Sequence, residues 1–135
     1  MDTPQLDEVG YWTEIKLDIL REYTAAYAAI LKNYPRISSI YIDAFAGAGE
    51  HLSKRTGEKI QGSPCIAMEI GSCFKEFHFI DLDKNKAGLL RELADDRRNV
   101  FVYEEDCNAI LIDRVFTRAK YEDYHRALCL LDPYG

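Results

Sequence analysis

Acidic and glycine residues follow the short apolar segments of this sequence, and their types suit the binding of a small polar ligand. Asp43 and the pair Gly47 and Gly49 belong to the first segment, Asp81 follows the second and Asp106 the third. A carboxylate can accept hydrogen bonds from two ribose hydroxyls or from an amino group. Glycine lets the chain turn tightly and lets a ligand approach the backbone. These five residues are therefore candidates for a ligand site.

Each of them also has an ordinary structural role that the sequence leaves open. The glycine pair can be a plain tight turn after a strand. Asp81 and Asp106 can cap the helices that follow them, because Asp is favoured at the N-cap position. Asp83 suits the capping role better than Asp81, which leaves Asp81 for a ligand, whereas Asn108 competes with Asp106 for that role.

A long amphipathic helix is predicted near the start of the chain. Apolar residues at helical spacing extend from Trp12 to Tyr34 and predict a core-facing helix. Thr13 is the expected N-cap, and Pro35 prevents the helix from continuing.

Strands and helices are expected to alternate after that helix. Short β-rich apolar runs predict four strands, at 39–45, 77–80, 100–103 and 127–131. Helices are expected at 65–71, at 84–95 and after Asn108, with Ser63 and Asp83 as the N-caps of the first two. The polar residues 50–61 are expected to form a loop.

This alternation predicts an α/β fold with a doubly wound, Rossmann-like parallel sheet. Strand–helix–strand units need right-handed crossover connections, which produce a parallel sheet. Ligands of such sheets bind beyond the carboxyl ends of the strands, at the switch point. All the candidate residues lie at the ends of predicted strands, and so does Asp132 at the end of the fourth strand. We therefore expect them to share one rim.

Two common nucleotide-binding patterns fit poorly. The dinucleotide fingerprint G-x-G-x-x-G needs a third glycine, but Leu52 occupies that position, and Asp81 lies 34 residues after Gly47 instead of about 20. A P-loop is excluded because the sequence contains no G-x-x-x-x-G-K-[ST].

Composition limits the class of protein. The chain has 135 residues, is 47% hydrophobic and 30% charged, and has a formal net charge of −6. We expect a single cytoplasmic domain, because no signal-peptide pattern and no run of about 18 apolar residues is present. The acidic charge disfavours tight, non-specific nucleic-acid binding. The four cysteines lack metal-site spacing and are expected to be reduced and mostly buried, so no metal is predicted.

Several segments together resemble the three-Cys-motif partner protein family, whose members are similar to class I methyltransferases. The segment 42–49 resembles the D-x-F-x-G-x-G form of methyltransferase motif I, which is common among enzymes that modify nucleic acids. The wider resemblance extends from about Trp12 to the last residue. It includes the segments W-T-x-x-K-L-x-I-L, Y-I-D-A-F-A-G-A-G, G-S-P, F-H-F-I-D-L-D, D-C-N and L-D-P-Y-G.

The resemblance implies S-adenosyl-L-methionine as the cofactor and assigns a role to each matching position. The methionine side of the cofactor would contact Asp43, Phe45, Gly47 and Gly49. Asp81 would hold the ribose, and Asp106 with the backbone amide of Cys107 would meet the adenine. Lys16 either reaches the cofactor's carboxylate or is a solvated helix residue. The implied partner is a protein with a three-cysteine motif.

The end of the chain resembles a catalytic motif. Asp132, Pro133 and Tyr134 are similar to the D-P-P-Y motif of amino-group methyltransferases, in which the acid and a main-chain carbonyl accept hydrogen bonds from the target amine. This sequence has one proline instead of two, so the aromatic ring lies one position closer to the acid.

Two functions follow from the resemblance. One is a methyltransferase that acts on nucleic acid or another acceptor, and the alternative is a non-catalytic, partner-binding module with the same fold. A nicotinamide-dependent enzyme is a third and weaker reading. The expected domain spans 1–135, with a helical segment at 1–36 and a Rossmann-like core at 37–135. It is expected to be a methyltransferase-like fragment that is cut after the fourth strand, marginally stable and inactive alone.

Overall fold

The structure, a computed structural model, describes residues 8–71, 73–95 and 97–132. In chain order, its strands are β1 (Glu8–Val9), β2 (Ser38–Asp43), β3 (Glu50–Ser53), β4 (Lys59–Gln61), β5 (Phe74–Ile80), β6 (Val100–Tyr103) and β7 (His125–Leu130). Its α-helices are α1 (Tyr11–Leu31), α2 (Ser63–Ile70), α3 (Lys84–Ala94) and α4 (Cys107–Ile110).

Four of the strands form a parallel sheet in the order β6-β5-β2-β7. The chain adds β5 and then β6 on one side of β2, and it crosses back to place β7 on the other side. The order of strands therefore reverses between β2 and β7, which makes this boundary the switch point of the sheet. The predicted α/β class with a parallel sheet is confirmed.

Both faces of the sheet are covered by apolar packing, as parallel sheets require. Because side chains alternate along a strand, Ile40 and Ile42 face one cluster with Val115, while Tyr41 faces another with Phe79 and Leu90. All six side chains are buried. The core therefore lies on both sides of the central strand β2. The loop with the candidate residues Phe45, Gly47 and Gly49 follows the carboxyl end of this strand.

Helix α1 differs from the prediction in its start and in the face that it buries. It begins at Tyr11 after the N-cap Gly10, not after Thr13, and it ends at Leu31. The buried residues of α1 are Thr24 and Ala28. Much of the predicted core face is exposed, including Trp12, Ile19, Tyr23, Ile30 and Tyr34. The prediction that this apolar stripe faces the core is therefore wrong for those five side chains.

The predicted loop at 50–61 is instead a β-hairpin. Strands β3 and β4 pair antiparallel, and β1 adds to β3 in parallel to give a second, three-stranded sheet. Five hydrogen bonds close the turn, and Gly57 adopts a positive φ of 71° there. The side chains of this segment are mostly exposed, so its composition is polar and does not indicate strands.

The capping predictions have different outcomes. Asp83 caps α3 as predicted, accepting hydrogen bonds from the backbone N–H groups of Asn85 and Lys86. Ser63 is not the N-cap of α2, because Gly62 occupies that position and Ser63 is the first helical residue. The helix after Asn108 starts earlier, at Cys107, and continues through a π-helical turn and a 3-10 turn to Arg118.

The four cysteines are free thiols at half-buried positions, so they are less buried than expected. Within the described ranges, no helix combines the length and the apolar character that crossing a bilayer demands.

Candidate functional site

A cavity of about 310 Å³ opens where β2, β5 and β7 end, next to the switch point. Small-molecule sites in proteins commonly measure ~300–1,000 Å³. Phe45, Gly47, Asp81 and Asp132 lie in its wall, so the fold brings together four of the candidates from three separate strand ends. Helix α1 closes the opposite side.

Asp81 joins the end of β5 to the glycine loop after β2. Its Oδ2 accepts a hydrogen bond from the backbone N–H of Gly47 at 2.9 Å, and its Oδ1 accepts one from the N–H of Asp83 at 2.8 Å. A carboxylate has about four lone-pair positions, so about two acceptor positions remain. Because Asp83 is the cap of α3, the carboxylate of Asp81 is left at the cavity wall, as the sequence predicted.

Asp43 lies beneath the cavity and is almost fully buried, with 1% of its surface exposed. Its carboxylate accepts a hydrogen bond from the hydroxyl of Ser63, which lines the cavity. The pKa of Asp43 is raised from 3.8 to about 7, mainly by burial and to a smaller extent by the nearby carboxylates of Asp81 and Asp132. Hydrogen bonds from Ser63 and from the backbone of Phe45 oppose that shift.

This contact explains why Ser63 does not cap α2. A buried carboxylate without donors is costly, so the hydroxyl of Ser63 serves Asp43 instead of the helix end. Asp43 is therefore positioned to act on the cavity through Ser63 and does not line the wall itself.

Lys16 and Asp132 form an ion pair across the mouth of the cavity. The Nζ of Lys16 lies 3.4 Å from both carboxylate oxygens of Asp132, and the side chains are 52% and 34% exposed. Lys16 is therefore a largely exposed residue of α1 that also lines the cavity and pairs with Asp132. Pro133 and Tyr134, the other two predicted catalytic residues, lie outside the described residues.

Gly49 lies away from the cavity wall and has a packing role. Its φ is +90°, and a Cβ at this position would lie 2.7 Å from Cδ1 of Leu93 and 3.4 Å from Sγ of Cys65. Gly47 has a φ of +72° but more space, with 3.8 Å to the nearest atom, in the ring of His51. The two glycines therefore serve the loop differently: Gly47 faces the cavity, and Gly49 lets α3 approach the loop.

Asp106 and Cys107 lie at the end of β6, outside the cavity wall. Asp106 is exposed and caps α4, its Oδ1 accepting a hydrogen bond from the N–H of Asn108 at 2.8 Å. Cys107 is half-buried and packs against the core cluster of Ile42 and Val115. Of the two roles considered for Asp106, the capping role is present in this structure.

Several cavity residues were not identified from the sequence as site residues. They are Thr13, Leu17, Leu20, His51, Ser63 and Lys86. Three of them belong to α1, where the sequence predicts Thr13 as an N-cap and Leu20 as part of a core-facing apolar pattern. His51 belongs to the β3–β4 hairpin, in a segment for which the sequence predicts a loop. Only Ser63 carried a usable signal, because it belongs to the G-S-P segment of the resemblance.

No protein-family model and no curated protein matches this chain. Among solved structures, the chain is similar to protein LPL1258 from Legionella pneumophila, described with the family DUF519, with a TM-score of 0.54 and 15% sequence identity. The similarity covers 70% of this chain and 49% of that one, so it spans about half of the Legionella protein. At this identity the likeness shows the α/β fold alone.

Proposed function

We propose that this chain binds S-adenosyl-L-methionine at the carboxyl ends of its parallel strands and is a methyltransferase-like protein of the three-Cys-motif partner type. The observation that carries the proposal is the position of Asp81, which joins the glycine loop to the end of β5 at the cavity wall. Class I methyltransferases and this chain would then share both the fold class and the placement of an acid at the end of the second sheet strand.

Asp81 has the acceptor capacity that a ribose needs. Its two remaining lone-pair positions match two ribose hydroxyls, which are donors. The N–H of Gly47 lies directly beside that position. Asp106 and the backbone of Cys107, at the end of the neighbouring strand β6, would then meet the adenine.

The other end of the cavity suits the methionine part of the cofactor. Phe45 is 42% exposed at the wall, and Asp43 lies just below it. Lys16 supplies a cation that can pair with the cofactor's carboxylate when it is not paired with Asp132.

Asp132 is the residue of the D-P-Y segment that we assign to amine positioning. It lies at the end of β7, where it borders the same cavity as Asp81. Holding an amine lone pair in line with a methyl group supplies much of the acceleration of such reactions through orientation. The acceptor would be an amino group of a nucleic acid or of another substrate.

Calorimetry with S-adenosylmethionine tests the proposal. Asp81→Asn is expected to weaken binding by about 1–3 kcal/mol, because it replaces a charged acceptor of the ribose hydroxyls. Asp113→Asn removes the same charge at an exposed position on the π-helical turn and serves as the control. Equal affinity of both variants would remove Asp81 from the site, and tight binding of NAD in place of S-adenosylmethionine would favour the nicotinamide alternative.

The second candidate is a partner-binding module that does not transfer a methyl group. It is favoured by the exposed apolar face of α1, where Trp12, Ile19 and Tyr23 are 76%, 59% and 57% exposed. Exposed apolar patches commonly mark interaction sites. Stable binding of a purified three-cysteine-motif protein, without any methyl transfer from radiolabelled cofactor, would support this candidate over the enzyme.

A further inference from the structure

The tip of the β3–β4 hairpin concentrates positive charge on an acidic chain. Residues 54–59 contain Lys54, Arg55 and Lys59 against the single acid Glu58, whereas the whole chain has a formal charge of −6. All three cations are exposed. Among the described residues, neither lysine forms an ion pair, and Arg55 makes only a 3.7 Å contact with Glu14 while 70% of its side chain stays exposed.

The hairpin tip is well ordered by its own hydrogen bonds. The hydroxyl of Ser53 accepts from the backbone N–H groups of Arg55 and Thr56, both at 3.3 Å. The carbonyl of Ser53 accepts from Gly57 at 2.8 Å. Because the backbone is fixed in this way, the tip presents its cations with a small ordering cost when a ligand binds.

The hairpin is also part of the wall of the proposed cofactor cavity. Strand β3 follows Gly49 directly, and His51 from that strand lines the cavity. Strand β4 ends at Gln61, just before the cavity residue Ser63. The base of the hairpin therefore borders the cavity, and the tip lies further along the two strands.

Two exposed aromatic rings flank the hairpin at the start of α1. Tyr11 and Trp12 are 65% and 76% exposed, and their ring centroids are 6.4 Å apart. Tyr11 also borders a groove of about 400 Å³ between α1 and the hairpin, whose charged lining residues are Arg21 and Arg55 together with Glu14 and Asp18. Exposed rings beside cations are the surface on which unpaired bases stack.

We propose that the hairpin tip and the Tyr11–Trp12 pair bind a single-stranded nucleic acid, with its phosphates on Lys54, Arg55 and Lys59 and its bases on the two rings. An unpaired nucleotide of that strand then lies at the cavity mouth, which makes single-stranded nucleic acid the substrate class of this protein. The inference that this surface binds nucleic acid depends only on the charges and the rings. Its role in supplying a substrate rests on the proposed function.

Anisotropy of a fluorescein-labelled 20-nucleotide single strand tests the surface, with one RNA arm and one DNA arm of equal sequence to show whether the 2′-hydroxyl matters. Single strands contribute a slope of about −0.7 in log K against log salt for each neutralised phosphate, so three cations predict about −2. In the variant Lys54→Gln/Lys59→Gln, the slope is expected to fall to about −0.7. The affinity for the strand is expected to fall roughly 25-fold at 0.1 M salt. Quenching of Trp12, the single tryptophan, is expected on binding.

The control variant Lys32→Gln/Arg36→Gln removes the same charge beyond the other end of α1, where both residues are exposed. It is expected to keep both the slope and the affinity. Equal losses in the two variants, no binding of either strand at 50 mM salt, or equally strong competition by polyglutamate would overturn the proposal, the last in favour of an acidic protein.

Calorimetry with S-adenosylmethionine on the same hairpin variant separates the two proposals. Unchanged cofactor affinity together with weakened strand binding supports both. A wild-type chain that binds the strand but no cofactor would contradict the proposed function and leave the nucleic-acid surface in place. A chain that binds the cofactor but no strand would contradict the nucleic-acid surface and leave the proposed function in place.

Discussion

Replacing Asp43 with asparagine removes a buried titratable group while keeping the shape of the side chain. The folded-state pKa of Asp43 is raised to about 7 from 3.8, mainly by burial. Between these two values the folded chain holds a proton that the unfolded chain has lost. Stability contributed by the protonated acid is therefore lost as the pH rises through this window.

The magnitude follows from the two pKa values. Each pKa unit corresponds to about 1.4 kcal/mol, so the ionised carboxylate costs about 4 kcal/mol of stability at pH 8 relative to acid pH, of which about 2–3 kcal/mol develops between pH 5 and pH 8. Asparagine carries no charge at any of these pH values. Between pH 5 and pH 8, the free energy of unfolding of Asp43→Asn is therefore expected to rise by about 2–3 kcal/mol relative to that of the wild type.

Urea unfolding of both proteins at several pH values measures this difference. Taking the difference between wild type and variant cancels the other titrating groups. Asp113→Asn, at an exposed position, is the control. Its difference in unfolding free energy from the wild type is expected to stay constant with pH. A flat difference for Asp43→Asn as well would refute the claim that a buried acid under the cavity titrates near neutrality.

Further predictions concern packing and charge, each measured by urea unfolding. Gly49→Ala is expected to cost about 1–3 kcal/mol, because a φ of +90° is strained for alanine and its Cβ would lie 2.7 Å from Leu93. Gly47→Ala, whose Cβ would make only an ordinary contact of 3.8 Å with His51, should cost less, and the reverse order would contradict the packing role of Gly49. Arg118→Gln is expected to cost about 1–3 kcal/mol at pH 7, since it removes a 2.8 Å hydrogen bond from Nε to Glu76. The pKa of Glu76 is lowered from 4.5 to about 2, mainly by Arg118 and also by His78, so that cost should shrink as the pH falls from 4.5 through 2, and a cost independent of pH would contradict the pairing.

Much of the sheet was predictable because local and tertiary preferences agree there. Strand β6 was predicted with its observed bounds, Val100–Tyr103, and β2, β5 and β7 with shifted ends. Buried parallel strands are continuous apolar runs, which stand out in a sequence. The alternation of these runs with helical segments was enough for the fold class.

The errors occurred where a residue's partner is distant in the sequence. Ser63 has the residue type of an N-cap, but buried Asp43 takes its hydroxyl, and only the fold brings the two together. The 50–61 hairpin is stabilised partly by β1, a short strand more than 40 residues away. The apolar stripe of α1 signalled burial, but periodicity does not show whether a neighbouring element covers it.

The site was partly predictable for the same reason. Gly47, Asp81 and Asp132 follow strand ends, and parallel strands deliver their carboxyl ends to one rim. Gly49 and Asp106 follow strand ends too, yet packing against Leu93 and capping of α4 account for their positions. Spacing along the chain does not distinguish a residue that lines the cavity from one that lies in the layer behind the cavity wall.

The most direct test of the central claim is a titration of the isotope-labelled chain with S-adenosylmethionine, followed by amide NMR. The N–H of Gly47 donates to Asp81 at the cavity wall, so its resonance should move first and furthest, together with those of Phe45 and Ser63. Amides of Lys32 and Arg36 should remain unchanged. Saturating cofactor that leaves the Gly47 resonance in place, or moves only residues far from the strand ends, would contradict the proposed site.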